Sequence, residues 1–128
     1  MSLNIQGLAQ KAKKDWVKEL YVNNKVNFMS LQETKMEIIE LFNIKMCWGN
    51  FAFDYVYSSS VGYSGGILCV WDPRMFRKIN STVSDYFILI IGEWVPNGKK
   101  LLIISFYAPQ ELSEKKMLWD YLTLVIDN

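Results

Sequence analysis

The chain has 128 residues, 51% of them apolar and 21% charged, with a net charge of +1. That composition excludes a disordered segment, and the near-neutral charge supplies no bulk attraction to nucleic acid. No histidine occurs, which removes from this chain every mechanism that needs an imidazole base or ligand.

One domain is the expectation for this length, spanning residues 1–128, with enough chain to bury a core. Aromatic residues reach 15%, so many large rings must find burial. Cys47 and Cys69 stand apart among apolar residues without metal-type spacing. They read as two buried, reduced thiols of an intracellular protein. The N-terminus shows no basic region followed by a long apolar run. The longest apolar stretch, Tyr86 to Ile91, falls far short of the ~20 residues that span a bilayer, so no membrane partner is expected.

In chain order, Ser2-Leu3-Asn4-Ile5 reads as the tail of a short strand before a turn at Gly7. Ala12, Trp16 and Leu20 recur every four residues and predict an amphipathic helix over 9–22, stopped at Asn23-Asn24. Val26 to Leu31 predicts a buried strand. Thr34 with Glu37 three residues on forms a capping-box pattern, which predicts a second helix over 35–42. Strand leading to helix is the βα unit of α/β proteins. Beyond it the pattern turns to β. Strands are predicted over 51–57, 67–71 and 79–83, with a flexible loop over Ser58–Gly62 and a stop at Asp72-Pro73. Tyr86–Val95 and Lys100–Tyr107 are long apolar runs joined through Asn97-Gly98, a hairpin signal. Strands so continuously apolar should be covered on both faces. Leu118, Tyr121, Leu122 and Val125 mark a last amphipathic helix over 112–126. The order predicts an α/β fold with a mixed sheet layered by helices.

Three residues at strand ends are candidates for chemistry. Glu33 lies where a strand ends and a helix is predicted to begin, the region where α/β sheets bind ligands. A single carboxylate suits a hard cation such as Mg²⁺. By position alone the plainer reading, an acid favoured by a helix dipole, is preferred. Asn4 alone is an ordinary turn residue, and Tyr107 alone a packing aromatic.

Together they carry more. Leu3-Asn4-Ile5-Gln6-Gly7-Leu8, Leu31-Gln32-Glu33-Thr34-Lys35, Ser64-Gly65-Gly66-Ile67 and Tyr107-Ala108-Pro109 occur in the order found in the endonuclease/exonuclease/phosphatase superfamily. The chain resembles in particular the apurinic-type endonuclease domain that precedes the reverse transcriptase in plant non-LTR (LINE-like) retrotransposon polyproteins. The likeness runs nearly end to end through this chain but covers only the N-terminal part of the family domain. It implies an incomplete four-layered α/β sandwich that cuts DNA phosphodiesters with Mg²⁺ or Mn²⁺. Glu33 would be the metal ligand, Asn4 would help position metal and phosphate, and Tyr107 would hydrogen-bond the phosphate.

The chain departs from the family pattern in four places. Gln6 stands where many relatives carry arginine, and Ser105 where some carry asparagine. The first strand lacks its usual upstream half. The family's later Gly-Asp-Phe-Asn and Asp-His elements have no counterpart before Asn128. The expectation is therefore a DNA-nicking domain fragment, inactive alone and holding metal weakly or not at all, in a nuclear or cytoplasmic setting. The alternatives are a fragment of a cellular repair nuclease or phosphoesterase, or a non-catalytic interaction module self-associating through an exposed sheet edge. Lys11, Lys13, Lys14 and Lys18 read as a solvated helix face, and Arg74, Arg77 and Lys78 as a polar loop.

Overall fold

The computed structural model describes residues 1–62 and 64–107. The helix expected over 112–126 lies outside the described residues. Within them the order is β1 (Ser2–Asn4), α1 (Lys11–Asn24), β2 (Phe28–Gln32), α2 (Leu41–Trp48), β3 (Asp54–Ser58), β4 (Ile67–Trp71), β5 (Phe76–Val83), β6 (Phe87–Trp94) and β7 (Lys99–Phe106). A four-stranded mixed sheet runs β1-β2-β4-β3, and a three-stranded antiparallel sheet runs β5-β6-β7. β1 and β2 are parallel, as the helical crossover between them requires, and the remaining pairs are antiparallel. The fold is α/β with mixed sheets, as the sequence predicts.

Alternation along the strands builds three layers. On β2 and β4, Met29, Leu31, Leu68 and Val70 face the helices, where they bury against Val17, Ile44, Cys47 and Trp48. The intervening Ile67, Cys69 and Trp71 face the second sheet and meet Phe76, Ile88 and Ile90. β4 is buried at every position, which explains its unbroken apolar run. Phe28 stacks on Trp71 at 5.5 Å between ring centroids, and Phe76 meets Trp71 edge-on at 5.6 Å. Part of the high aromatic content is spent in this seam between the sheets.

β7 corrects one expectation. Its apolar run is not covered on both faces. It edges its sheet, and Leu101 and Leu102 remain 39% and 46% exposed. The hairpin from β6 forms as expected. Trp94 pairs with Lys99 across a four-residue loop, and Gly98 takes a φ of +69° and donates its N–H to the Trp94 carbonyl at 2.9 Å. β5 begins three residues before its predicted start and carries a bulge at Ile79, between Lys78 and Asn80.

The second helix is the larger correction. No helix covers 35–42; α2 begins at Leu41, after an extended Glu40 that makes no side-chain cap. The capping-box reading fails because the backbone at Thr34 is already engaged. Thr34 N–H donates to the Gly66 carbonyl at 3.1 Å and Lys35 N–H to the Gly65 carbonyl at 2.8 Å. Glu33 and Lys35 both take positive φ, +58° and +56°, which no helix start allows. Thr34 is fully buried, and its hydroxyl caps nothing.

Both thiols are buried, as expected. Burial pushes Cys47 up to about 12, with Lys14 pulling weakly the other way. Burial pushes Cys69 up to about 11, against hydrogen bonds from Ser30 and Ser105. The thiolate is the reacting form. Neither cysteine should therefore react with a disulfide reagent at pH 8 in the native chain, and both should react at once in guanidinium. Fast labelling of Cys47 under native conditions would show that the helix–sheet layer opens, and of Cys69 that the seam between the sheets does.

Candidate active site

One rim of the first sheet collects the residues of interest. The carboxyl ends of β1 and β2 point the same way because the two strands are parallel, with Asn4 in register with Gln32. Because β4 is antiparallel to β2 and β3, the start of β4 and the end of β3 fall on that same rim. Gln32 pairs with Ile67, and Ser58 pairs with Ile67 from the other side. Such an edge is where α/β sheets present binding groups.

The Glu33 turn is held on both sides. Ile5, Gly7 and Leu8 donate N–H groups to the carbonyls of Gln32, Glu33 and Thr34 at 3.0, 2.8 and 3.0 Å. Thr34 and Lys35 donate in turn to the Gly65-Gly66 backbone. The glycines are required here. Gly66 has a φ of +89°, and a Cβ on it would run into the Thr34 hydroxyl. This clamp fixes Glu33 at a strained φ, a feature that collects at functional positions. Its half-buried carboxylate makes no hydrogen bond or ion pair with the described residues.

Tyr107 reaches the same place from the second sheet. Its N–H donates to the Tyr86 carbonyl at 2.8 Å, and its ring lies against Gly65, 3.3 Å from where a Cβ would sit. Asn4 is exposed at the end of β1, and its side chain lies on the same face of the strand as that of Ser2, toward the second sheet. Asn4, Glu33 and Tyr107 thus share one rim, with Gly65-Gly66 lying between Glu33 and Tyr107.

Two features escaped the sequence reading. Asp85 lies on the rim in the turn from β5 to β6, its carbonyl 3.9 Å from the position of a Gly65 Cβ. The signal was a Ser84-Asp85 turn beside a candidate tyrosine's neighbour strand, which is too common a pattern to single out. The other is a set of polar side chains beneath Glu33, centred on Gln32. The loop over 58–62 is also more firmly held than expected. Ser58 and Ser60 are buried, the Ser58 hydroxyl donates to the Ser84 carbonyl, and Ser60 N–H donates to the Met36 carbonyl at 3.0 Å.

The basic residues do not gather on the rim. Lys13 and Lys14 donate to the Ile5 and Ala9 carbonyls at 2.7 and 3.0 Å, securing the connection from β1 to α1. Lys14 is buried, so the reading of a solvated lysine face holds for Lys11 and Lys18 but not for it. Arg74 forks onto Asp72 at 2.8 Å, and Arg77 pairs with Glu93 at 2.6 Å. The Arg74 guanidinium holds the Asp72 carboxyl below its ordinary value.

Thr34 supplies a test of the clamp. A buried hydroxyl without a partner costs about 1–3 kcal/mol. Thr34→Val keeps the shape and removes that group, so it should raise stability by about 1 kcal/mol in urea unfolding. A clear loss of stability would mean that the hydroxyl has a partner.

The donors available on the rim are oxygens, a carboxylate from Glu33 and a carboxamide from Asn4. This set fits a hard divalent cation that keeps several waters and completes its shell on substrate phosphate. No group of three or more acidic, cysteine or histidine ligands occurs among the described residues.

Sequence comparison finds no matching family model and no matching characterised protein. The fold, however, matches solved AP endonucleases. An AP endonuclease from Leishmania major superposes with a TM-score of 0.63 at 11% identity, covering 92% of this chain and 42% of its own. An AP endonuclease from Archaeoglobus fulgidus gives 0.60 at 16% identity, covering 85% of this chain and 40% of its own. The APE2 catalytic domain of Xenopus laevis gives 0.59 at 15% identity, covering 89% and 46%. The chain therefore shares part of the fold of these AP endonucleases. It spans less than half the length of these structures.

Proposed function

We propose that this chain is part of a divalent-metal-dependent DNA endonuclease, with Glu33 as metal ligand and Asn4 and Tyr107 as phosphate-positioning groups. The observation that carries this reading is the clamped Glu33 carboxylate. It sits at a strand end beside Asn4, held by backbone hydrogen bonds on both sides, with no partner for its carboxylate among the described residues. A cation bound there, Mg²⁺ or Mn²⁺, would neutralise charge on the phosphate and the departing oxygen. Asn4 and Tyr107 would hold the phosphate by neutral hydrogen bonds from the two sheets.

Titration with Mn²⁺, read by the paramagnetic resonance of the free ion, tests the assignment. The chain should bind one ion weakly, because one carboxylate holds such a cation poorly. Glu33→Ala should lower that affinity at least about tenfold. Equal binding by both proteins would remove Glu33 from the site.

The origin we propose is the nicking domain of a non-LTR retrotransposon, acting within the cell on nuclear or cytoplasmic DNA. The ordered motifs from Leu3-Asn4 to Tyr107-Ala108-Pro109 support it. Reading the adjoining genomic DNA tests it. A downstream Gly-Asp-Phe-Asn segment and reverse transcriptase are expected, and a cellular repair gene would replace this origin with that one. The exposed apolar side chains of β7 favour self-association as a second property, since a strand that edges its sheet among the described residues can be a template for another chain. Sedimentation across a concentration series should show dimers, and a monomer throughout would refute it.

A further inference from the structure

We infer that Gln32 is a positioning residue that locks the two sheets in register and so sets Tyr107 against Glu33. This rests on the proposed site. β2 and β7 belong to different sheets and share no ladder hydrogen bonds. What lies between the sheets is mostly apolar, and apolar contact is non-directional, so it resists sliding weakly. Two polar links interrupt it among the described residues: the Ser58 hydroxyl on the Ser84 carbonyl, which ties β3 to the β5–β6 turn, and a cluster centred on Gln32, which alone reaches β7. The Gln32 carboxamide nitrogen lies 2.6 Å from the Ser30 hydroxyl, 2.9 Å from Ser2 and 3.1 Å from Ser105. The Ser2 hydroxyl also reaches the Gln32 carbonyl oxygen at 3.2 Å, and Ser30 and Ser105 bond each other. The Cys69 thiol approaches Ser30 from β4 at 3.9 Å.

The members fall on the three strands that end in the proposed site. Ser2 is two residues before Asn4, Gln32 one before Glu33, and Ser105 two before Tyr107. Ser30 and Ser105 are buried, so their hydroxyls need these partners. Hydrogen bonds in such a setting are directional and hard to replace. A slide of β7 along β2 would break them before it moved Tyr107. Gln32 is therefore placed to convert sheet-to-sheet register into the separation of Tyr107 from Glu33.

The test uses the full chain with Gln32→Met and Ser105→Ala. The second removes one hydroxyl and leaves Ser30 bonded to Gln32, so it is the milder change should the first not fold. Ile90→Val serves as control, loosening the same seam without touching a hydroxyl. Two readouts are taken on proteins whose near-ultraviolet circular dichroism is native. One is the nuclear Overhauser contact between Gly65 and the Tyr107 ring; the other is Mn²⁺ affinity. Gln32→Met and Ser105→Ala should weaken the contact and reduce the affinity about tenfold, the range seen when groups behind a metal ligand are removed. Ile90→Val should leave both unchanged. An intact contact in the two polar variants, or an equal change in Ile90→Val, overturns the inference. If the contact weakens while the parent chain and Glu33→Ala bind Mn²⁺ alike, the metal site falls and the coupling stands.

Discussion

Gly66→Ala should cost the chain roughly 2–6 kcal/mol, the sum of about 1–3 for a side chain forced to positive φ and about 1–3 for overpacking. Against a usual total of ~5–15 kcal/mol, that is a large part of the stability. Both terms come from the same place. The φ of +89° is one that L side chains rarely adopt, and the new Cβ would meet the Thr34 hydroxyl with the Lys35 nitrogen 3.2 Å away. Thr34 is fully buried and has nowhere to turn. The backbone cannot shift freely either, because Gly66 accepts the Thr34 N–H and Gly65 accepts the Lys35 N–H. Gly65→Ala should be milder, about 1–3 kcal/mol, because its φ of +76° brings the same backbone strain but its Cβ is tight only against the Tyr107 ring, at 3.3 Å, and a ring can slide. Urea unfolding of the two variants checks the order. A Gly66→Ala midpoint equal to the parent's would mean that the Glu33 turn is not clamped in this way.

Much of this arrangement was legible in the sequence, and the misreadings have physical causes. Ile67–Trp71 reads as a strand because five consecutive apolar residues between Gly65-Gly66 and Asp72-Pro73 admit little else, and the structure buries all five. The Asn97-Gly98 hairpin is read from local chemistry alone. Thr34 deceived for the opposite reason. Its capping box is a local signal, and a long-range pairing with Gly65-Gly66 overrides it. Glu33 could be singled out as a strand-end acid, but the lack of a partner for its carboxylate among the described residues could not, since that depends on which lysines and arginines find other partners. Gln32 gave no signal. A glutamine at the end of an apolar run looks like the edge of a strand. Its value appears once the pairing register puts Ser30 and Ser105 on its face.

The same register explains why the rim can host chemistry at all. Asn4, Glu33 and Tyr107 are far apart in sequence, and no local interaction joins them. Parallel pairing of β1 with β2 joins the first two, and the glycine clamp with the buried serine–glutamine cluster joins the third. The sheets supply rigidity, while the strained turn supplies an acid with no partner among the described residues. A binding group on such a support has little freedom to lose.

The 128-residue chain by itself should not nick supercoiled plasmid DNA in Mg²⁺ or Mn²⁺ above the rate of a buffer blank. Phosphodiester hydrolysis needs an activated water, a positioned cation and stabilisation of the departing oxygen. Glu33 and Asn4 can contribute to the second, and Tyr107 to the third. The first needs a base, and the sequence has no histidine. Among the acids of the described residues, Asp15, Asp72 and Glu93 are committed to ion pairs with Lys11, Arg74 and Arg77, and Glu19, Glu37 and Glu40 are exposed. Asp54 starts β3 in register with Trp71, at the end of the sheet away from the rim. Asp85 is on the rim but exposed, in a turn where no described side chain is bonded to its carboxylate to aim it. General acid–base catalysis is typically worth ~10²–10⁴-fold, so its loss together with a half-filled metal shell should bring the rate to background. The assay compares the parent chain with Glu33→Ala and Asp85→Asn, following conversion of supercoiled to open-circular plasmid. Nicking by the parent that disappears in Glu33→Ala would contradict the expectation. If Asp85→Asn abolished it as well, the base would lie in the turn between β5 and β6.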